Sequence, residues 1–176
     1  MRTLILETEI GKLLSSGILN WLSGDVFTRQ WYTYAYGHGS GLKLHVDNRF
    51  DKIYDYWKCK GDFGSCMTGR NRDEFYAYSV NAKAAYITDE HDYIVARAIL
   101  FTDVTDQHGK KWKLLERQYA SNKDDTLKRL LIDKLIHGEY IDGYKVIGAS
   151  CSDADAFVDI SGNSLKNKKF EIDCRL

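Results

Sequence analysis

The sequence predicts an α+β domain, in which a mixed, largely antiparallel sheet is covered by two to three packed helices. Apolar residues recur at helical spacing in separate segments, and runs with strand propensity fill much of residues 83–149. A length of 176 residues suits one hydrophobic core better than two. We therefore expect a single domain, with an N-terminal helical and hairpin part over residues 1–60 and a sheet core over residues 61–176.

The composition is that of an ordinary globular protein, with 44% hydrophobic and 28% charged residues. Lys plus Arg and Asp plus Glu each number 25, so no overall field steers the chain onto nucleic acid or an acidic membrane. The only apolar stretch near the N-terminus carries Glu7, Glu9 and Lys12, which argues against a signal peptide. Because no run of 18 apolar residues occurs either, we expect a cytoplasmic protein without membrane contact.

The first third of the chain predicts a helix, a hairpin and a second helix. Residues 4–22 carry apolar side chains near a 3.6-residue period. Residues 30–36 and 42–46 have strand propensity and flank a glycine-rich turn. Asp47 can cap the helix that follows. The predicted apolar face of this helix consists of Phe50, Ile53, Tyr54 and Trp57.

The middle of the chain predicts an antiparallel meander. Residues 61–72 contain three glycines and no periodicity, which indicates a loop, and residues 73–78 could form a short helix. Three strands are expected after it, at residues 84–88, 93–101 and 112–119.

The last third predicts one strong helix and three strands. Asn122 or Asp124 can cap the helix, and Gly138 can end it. Its apolar face consists of Leu127, Leu130, Leu131 and Leu135. Strands are expected at residues 144–149, 156–160 and 169–174.

The predicted order of strand, strand, strand, helix and strand resembles the core of the GNAT acetyltransferase fold. That resemblance implies a diphosphate of acetyl-coenzyme A at the start of the central helix, reached through a glycine-rich loop. The matching stretch, residues 120–125, contains no glycine, and its Asp124 and Asp125 would repel a diphosphate. We therefore expect no cofactor, and at most a degenerate acyltransferase.

Cysteine and histidine residues provide candidates for nucleophilic chemistry but no metal signature. The four cysteines form no C-x-x-C pair, which favours free thiols and no metal site. The glycine-flanked stretch Ser65-Cys66-Met67 could expose Cys66 as a nucleophile, or could fill the core beneath a loop. A thiolate would need a base, and five histidines are available: His38, His45, His91, His108 and His137.

Arg97 interrupts an aliphatic predicted strand. By strand alternation it shares a face with Val95 and Ile99, so its guanidinium would require a carboxylate partner such as Glu116 or Asp159. One interpretation is a structural ion pair. The other is a polar site for an anionic ligand, with Arg97, Glu116, Arg117 and Tyr119 as catalytic candidates on adjacent strands.

An aromatic tract provides candidate binding residues. Aromatic residues make up 13% of the chain, and Trp31, Tyr32, Tyr34 and Tyr36 alternate along one short segment. Such side chains can anchor a protein interface, stack on nucleic-acid bases or fill a core. Basic residues are sparse around the tract, so nucleic acid is possible but not favoured.

Three motifs carry a second resemblance, over residues 65–160. They are the S-C-M loop at residues 65–67, the stretch A-R-A-I-L-F at residues 96–101, and E-R-Q-Y at residues 116–119 with a later F-V-D-I element. In this order they resemble an uncharacterised family of phage-encoded proteins marked by S-C-M, G-R-A-L-L-W and D-R-I-Y motifs. The resemblance implies a viral origin and no particular reaction.

Two functions follow as hypotheses. The first is a phage accessory protein that binds and inhibits a host protein or ribonucleoprotein complex, with a CRISPR-type defence component as the expected target. The second is an enzyme, either a degenerate GNAT-like acyltransferase or a nuclease-like hydrolase. Whether the chain is an enzyme stays open at this level.

Overall fold

The computed structural model describes residues 41–65, 67 and 80–172. These residues belong to one compact unit, Gly41–Leu176. The predicted helices at residues 4–22 and 73–78 and the predicted strand at residues 30–36 lie outside the described residues. The division of the chain into one domain stays a prediction.

The predicted fold class, α+β, is confirmed. Eight strands in the described part of the chain form one mixed sheet, and only the β4–β6 pairing is parallel. The sheet order is β1-β2-β3-β4-β6-β7, and β5 and β8 both pair with β3. The strands are β1 (Lys43–Asp47), β2 (Ala82–Thr88), β3 (Ile94–Asp106), β4 (Lys111–Leu115), β5 (Tyr119–Ala120), β6 (Gly143–Lys145), β7 (Phe157–Asp159) and β8 (Phe170–Ile172).

Helices within these ranges are few. They are α1 (Phe50–Ile53) and α2 (Asp125–His137), with a 3-10 turn at Ser121–Lys123. The helix α2 begins as predicted, because the Asp124 carboxylate accepts a hydrogen bond from the Thr126 amide at 2.7 Å, and its C-cap is Gly138. None of the helices in the described ranges is long and apolar enough to cross a membrane.

The sheet has a buried core on each face. On one face, Leu131 and Leu135 of α2 belong to a cluster with Ala85 of β2 and Leu100 of β3. On the other face, Ile53 and Tyr54 at the end of α1 belong to a cluster with Phe63 and with side chains from several strands. The apolar stripe of α2 therefore covers one side of the sheet, as its helical periodicity predicted.

The second predicted helix is much shorter than expected. Its N-cap is Arg49 rather than Asp47, and α1 ends at Ile53. The Asp55 carboxylate then accepts a hydrogen bond from the Trp57 amide at 2.9 Å, which turns the chain away from the helix axis. Trp57 consequently leaves the predicted apolar face and is 80% exposed.

A bulge in the β2–β3 pairing places Val95 and Arg97 on different faces of the sheet. Ile87 lies opposite Ala96 and Thr88 lies opposite Ile94, so one additional residue, Val95, is inserted in β3. Val95 belongs to the cluster beneath α2, whereas Ile99 belongs to the cluster on the opposite face. The expectation that Arg97 shares a face with both Val95 and Ile99 was therefore wrong for Val95.

The predicted acetyltransferase order is not confirmed. A short strand, β5, and a 3-10 turn lie between β4 and α2, and β4 and β5 pair in succession with β3, with an interruption at residues 116–118. The resemblance to that fold stays a prediction.

Candidate functional site

Arg97 is buried in an aromatic environment. Its side chain is fully buried, and strand register places it opposite Tyr86 of β2 and Tyr119 of β5. The guanidinium carbon lies 4.3 Å from the ring centroid of Tyr54, 5.1 Å from that of Phe63 and 5.3 Å from that of Tyr119. At these distances the ring faces attract the cation. Arg97 thus holds α1 and the following loop against the sheet.

Neither carboxylate expected beside Arg97 forms an ion pair with it. Glu116 pairs with Lys145, with 2.5 Å between Oε1 and Nζ. Asp159 accepts hydrogen bonds from Asn163 and from turn amides, and these bonds hold the pKa of its carboxyl below its usual value. Both predicted partners therefore bind other groups: Glu116 lies beside Lys145 of β6, and Asp159 binds the residues of its own turn.

The four catalytic candidates on the adjacent strands have different partners, although the Arg117 amide donates to the Glu116 carboxylate at 3.0 Å. Tyr119 lies between Arg97 and Arg117, whose guanidinium carbon is 5.1 Å from the Tyr119 ring centroid. Glu116 belongs instead to the pair with Lys145. The grouping of Arg97, Glu116, Arg117 and Tyr119 into one site stays a prediction.

The Glu116–Lys145 pair lies where β4 and β6 stop pairing. Backbone pairing between these parallel strands covers only Leu114 with Gly143 and Leu115 with Tyr144. Beyond it, the buried Gln118 amide donates to the carbonyl oxygens of Glu116, at 2.9 Å, and Lys145, at 3.0 Å. A side chain thereby replaces backbone hydrogen bonds between the two diverging strands.

Lys145 is an almost completely buried cation that sequence reasoning missed. Its side chain is 2% exposed, its ammonium group donates to the Cys151 carbonyl at 3.1 Å, and it lies 5.0 Å from the centroid of the Phe157 ring. The Glu116 side chain is 20% exposed. A lysine in a short strand gives no sequence signal of burial, because its charge ordinarily places it in solvent.

The start of α2 is occupied by protein groups. Asp124 caps the helix, and the preceding turn contacts the loop after α1. The Ser121 hydroxyl donates to the Lys60 carbonyl, and the Lys123 ammonium pairs with Asp62 at 3.0 Å. A carboxylate cap and a packed loop at this position disfavour a bound diphosphate, which agrees with the charge argument from the sequence.

The candidate nucleophiles and bases are only partly described. Cys66, His38 and the tract Trp31, Tyr32, Tyr34 and Tyr36 lie outside the described residues. Met67 packs against the core, as one interpretation of the S-C-M loop predicted. His91, His108 and His137 are exposed.

His45 lies in a group of polar side chains that the sequence did not predict. Its ring stacks on Tyr86, with 4.8 Å between centroids, and Nε2 lies 2.9 Å from the Thr88 hydroxyl. Burial and nearby Lys52 lower the pKa of His45. The Tyr86 hydroxyl donates to Asp47 at 2.8 Å, and its pKa is raised by burial and by that carboxylate. Both the imidazole and the phenol are therefore held in their neutral forms.

An exposed aromatic surface is the clearest binding feature of the described residues. We define it as Tyr56, Trp57 and Tyr93, which are 66%, 80% and 44% exposed. The rings of Tyr56 and Trp57 meet edge to face at 5.4 Å. Tyr93 is included because the amide of Ile94, next in the chain, donates to the carbonyl of Lys58, which follows Trp57, at 2.7 Å.

The charges around the aromatic surface are mutually paired. Lys52 and Lys58 approach Asp92 at 3.0 and 4.0 Å, and Lys60 approaches Asp89 at 2.8 Å. The hydrogen bond to Lys52 is the main cause that holds the pKa of the Asp92 carboxyl below its usual value. Burial is the largest effect on Asp89 and raises its pKa, but hydrogen bonds from Lys60 and from the Tyr93 and His91 amides outweigh it, so the pKa of Asp89 is also lowered. The lysines here already have anionic partners within the chain.

Comparison of the chain with known protein families, curated proteins and solved structures gave no match.

Proposed function

We propose that this chain is a phage accessory protein that acts by binding a host macromolecule in the cytoplasm of the infected bacterial cell. The expected target is a protein or ribonucleoprotein component of a CRISPR-type defence system. The motif resemblance described above supports the viral context. The observation that carries the binding role is the aromatic surface, where Trp57 is 80% exposed.

The chemistry of this surface favours a protein partner. Tryptophan and tyrosine are enriched among the few residues that dominate protein–protein binding energy. Exposure of such rings costs hydrophobic free energy that a partner would recover. Since the neighbouring lysines are paired with Asp89 and Asp92, the surface offers little free positive charge to a nucleic acid.

A capture experiment with matched variants tests this proposal. Wild-type protein should retain a stoichiometric partner from a bacterial lysate and inhibit a purified CRISPR nuclease complex. Trp57→Ala should weaken both effects by about tenfold or more, because hot-spot truncations cost about 2 kcal/mol. Its melting temperature should stay unchanged, since the side chain lies in solvent.

Tyr140→Ala provides the control, because Tyr140 is an exposed aromatic residue elsewhere and is 42% exposed. It should behave like the wild type. The proposal is contradicted if none of the three proteins retains a partner, or if the wild type and Trp57→Ala bind equally well.

An acyltransferase is the second candidate. The observation that favours it is that the parallel strands β4 and β6, which α2 connects, stop pairing after two residue pairs. Beyond this point the Gln118 amide and the Glu116–Lys145 ion pair link them. The capped start of α2 weighs against it. Calorimetric titration with acetyl-coenzyme A checks this candidate: saturable heat would support it, and none at millimolar ligand would oppose it.

A further inference from the structure

We propose a second interaction surface, which contacts the phosphate backbone of nucleic acid without reading its sequence. The surface is the lysine patch, defined as Lys110, Lys166, Lys168 and Lys169. It is formed where the hairpin between β3 and β4 meets the segment that leads into β8. This inference is independent of the aromatic surface and of the proposed function.

Hydrogen bonds between the hairpin and the segment before β8 fix the position of the patch. Asp106 is buried at the hairpin, and its carboxylate accepts from the Trp112 indole at 3.1 Å and from the Lys168 ammonium at 2.9 Å. The Gln107 side chain donates to the Asn167 carbonyl at 3.1 Å and accepts from the Lys169 amide at 2.9 Å. The two segments that carry the lysines are therefore held together, and little ordering is needed on binding.

The patch holds a local excess of positive charge that the neutral total conceals. The two nearby aspartates are each paired already: Asp103 with Lys111 at 2.7 Å, and Asp106 with Lys168 at 2.9 Å. Exposed Glu171, two residues beyond Lys169, adds one negative charge against the three remaining lysines of the patch. In the part of the chain that the structure describes, no carboxylate pairs with Lys110, Lys166 or Lys169, and all three are exposed. Three unneutralised ammonium groups thus face solvent.

Two of the four cations of the patch lie over one ring. The ammonium groups of Lys110 and Lys168 lie 4.0 and 5.1 Å from the centroid of the buried Trp112 ring. This ring attracts both cations and lessens their mutual repulsion. The ammonium groups of Lys110 and Lys168 are therefore held close together against a buried side chain.

The residue types favour nucleic acid over an acidic protein. Protein interfaces are enriched in arginine and exposed aromatic residues and depleted in lysine, whereas the patch contains only lysine, and its tryptophan is buried. Lysine contacts to phosphates supply the sequence-independent part of nucleic-acid binding. The aromatic surface and the lysine patch therefore have different chemistries and fit different partners.

Fluorescence anisotropy with labelled oligothymidine tests the inference. Wild-type protein should bind at low salt, with a slope of about −2 in a plot of log K against log salt, as expected for three single-strand phosphate contacts. The triple variant Lys110→Gln, Lys166→Gln, Lys169→Gln should lose most of this slope and bind about tenfold or more weakly.

A charge-matched control distinguishes the loss of the patch from the loss of overall positive charge. Lys43→Gln, Arg129→Gln, Lys134→Gln removes three positive charges elsewhere and should bind within about twofold of the wild type. The double variant Lys166→Gln, Lys169→Gln leaves the Lys110–Trp112 contact intact, so its partial loss of binding cannot come from loss of that contact. Melting curves verify that every variant is folded.

Three outcomes would overturn the inference. The first is the absence of wild-type binding at low salt, and the second is an equal loss in the patch and control triples. The third is binding of polyglutamate as tight as that of DNA with the same dependence on the patch lysines, which would assign the surface to an acidic protein.

Discussion

At the scale of single residues, the least expected feature is the buried pair of Glu116 and Lys145. Lys145 is the more deeply buried partner, so removing the carboxylate and removing the ammonium group should have different effects on stability. A buried charge that loses its partner destabilises a fold far more than a charge that can regain water.

We predict that Glu116→Gln lowers the free energy of unfolding by about 3 kcal/mol, because it leaves the Lys145 ammonium buried without a counterion. Lys145→Met should cost less, since Glu116 is 20% exposed and can be rehydrated. The double variant should recover much of the loss of Glu116→Gln. Urea denaturation of the three variants measures this coupling.

The same variant bears on the enzyme hypothesis. An enzyme that uses Glu116 would lose turnover under conditions where the protein stays folded. If Glu116→Gln were as stable as the wild type, the pair would not have the structural role assigned to it here.

At the scale of elements, the start of α2 determines how the helix is placed on the sheet. Asp124 caps the helix, and the turn before it contains two non-glycine residues with positive φ, Asn122 at 53° and Lys123 at 60°. Side chains disfavour this conformation, by roughly 1 kcal/mol or more each. Contacts of Ser121, Asn122 and Lys123 with Lys60, Gly61 and Asp62 offset the strain.

We predict that Asp124→Ala destabilises the protein by about 1 kcal/mol, because the Thr126 amide loses its acceptor. Asp125→Ala is the control: it removes the same charge near the same helix end, together with the ion pair to Lys128, without removing the cap. Thermal melting compares them. A loss for Asp125→Ala as large as that for Asp124→Ala would contradict the capping role.

At the scale of the whole molecule, β3 joins the sheet together by pairing with β2, β4, β5 and β8. Asp106, at the end of β3, links the hairpin to the C-terminal strand through Trp112 and Lys168. Its hydrogen bond with Lys168 is the main cause that holds the pKa of the Asp106 carboxyl far below its ordinary value, with a further contribution from Trp112. This arrangement requires the carboxylate form.

We predict that the Asp106 contribution to stability is present above the pKa of an unfolded aspartate, about 3.9, and is lost as the pH falls towards its lower folded-state pKa. Urea denaturation from pH 6 downwards should show a smaller decrease for Asp106→Asn than for the wild type, from a lower starting value. Asp103→Asn, an exposed control on the same strand, should keep the wild-type dependence. An unchanged dependence in Asp106→Asn would contradict the prediction.

The amino-acid sequence by itself determined the fold class, most strands and α2, because these depend on local periodicity and caps. The apolar stripe of α2 and its cap can be predicted from residues close together in the chain: Leu130, Leu131 and Leu135 for the stripe, and Asp124 for the cap. Burial of Arg97 could also be predicted, because its neighbours in β3 are aliphatic. The single-domain assignment and the viral context remain predictions.

Only the tertiary structure decided what each polar side chain contacts. Arg97 packs against aromatic rings rather than Glu116 or Asp159, Trp57 lies in solvent because α1 ends early, and Glu116 pairs with Lys145. Each depends on groups distant in the chain, such as Lys145 and Phe63, whose approach is set by strand register and loop path. Side-chain periodicity carries no information about such contacts, because it reports the face of an element and not what is packed against it.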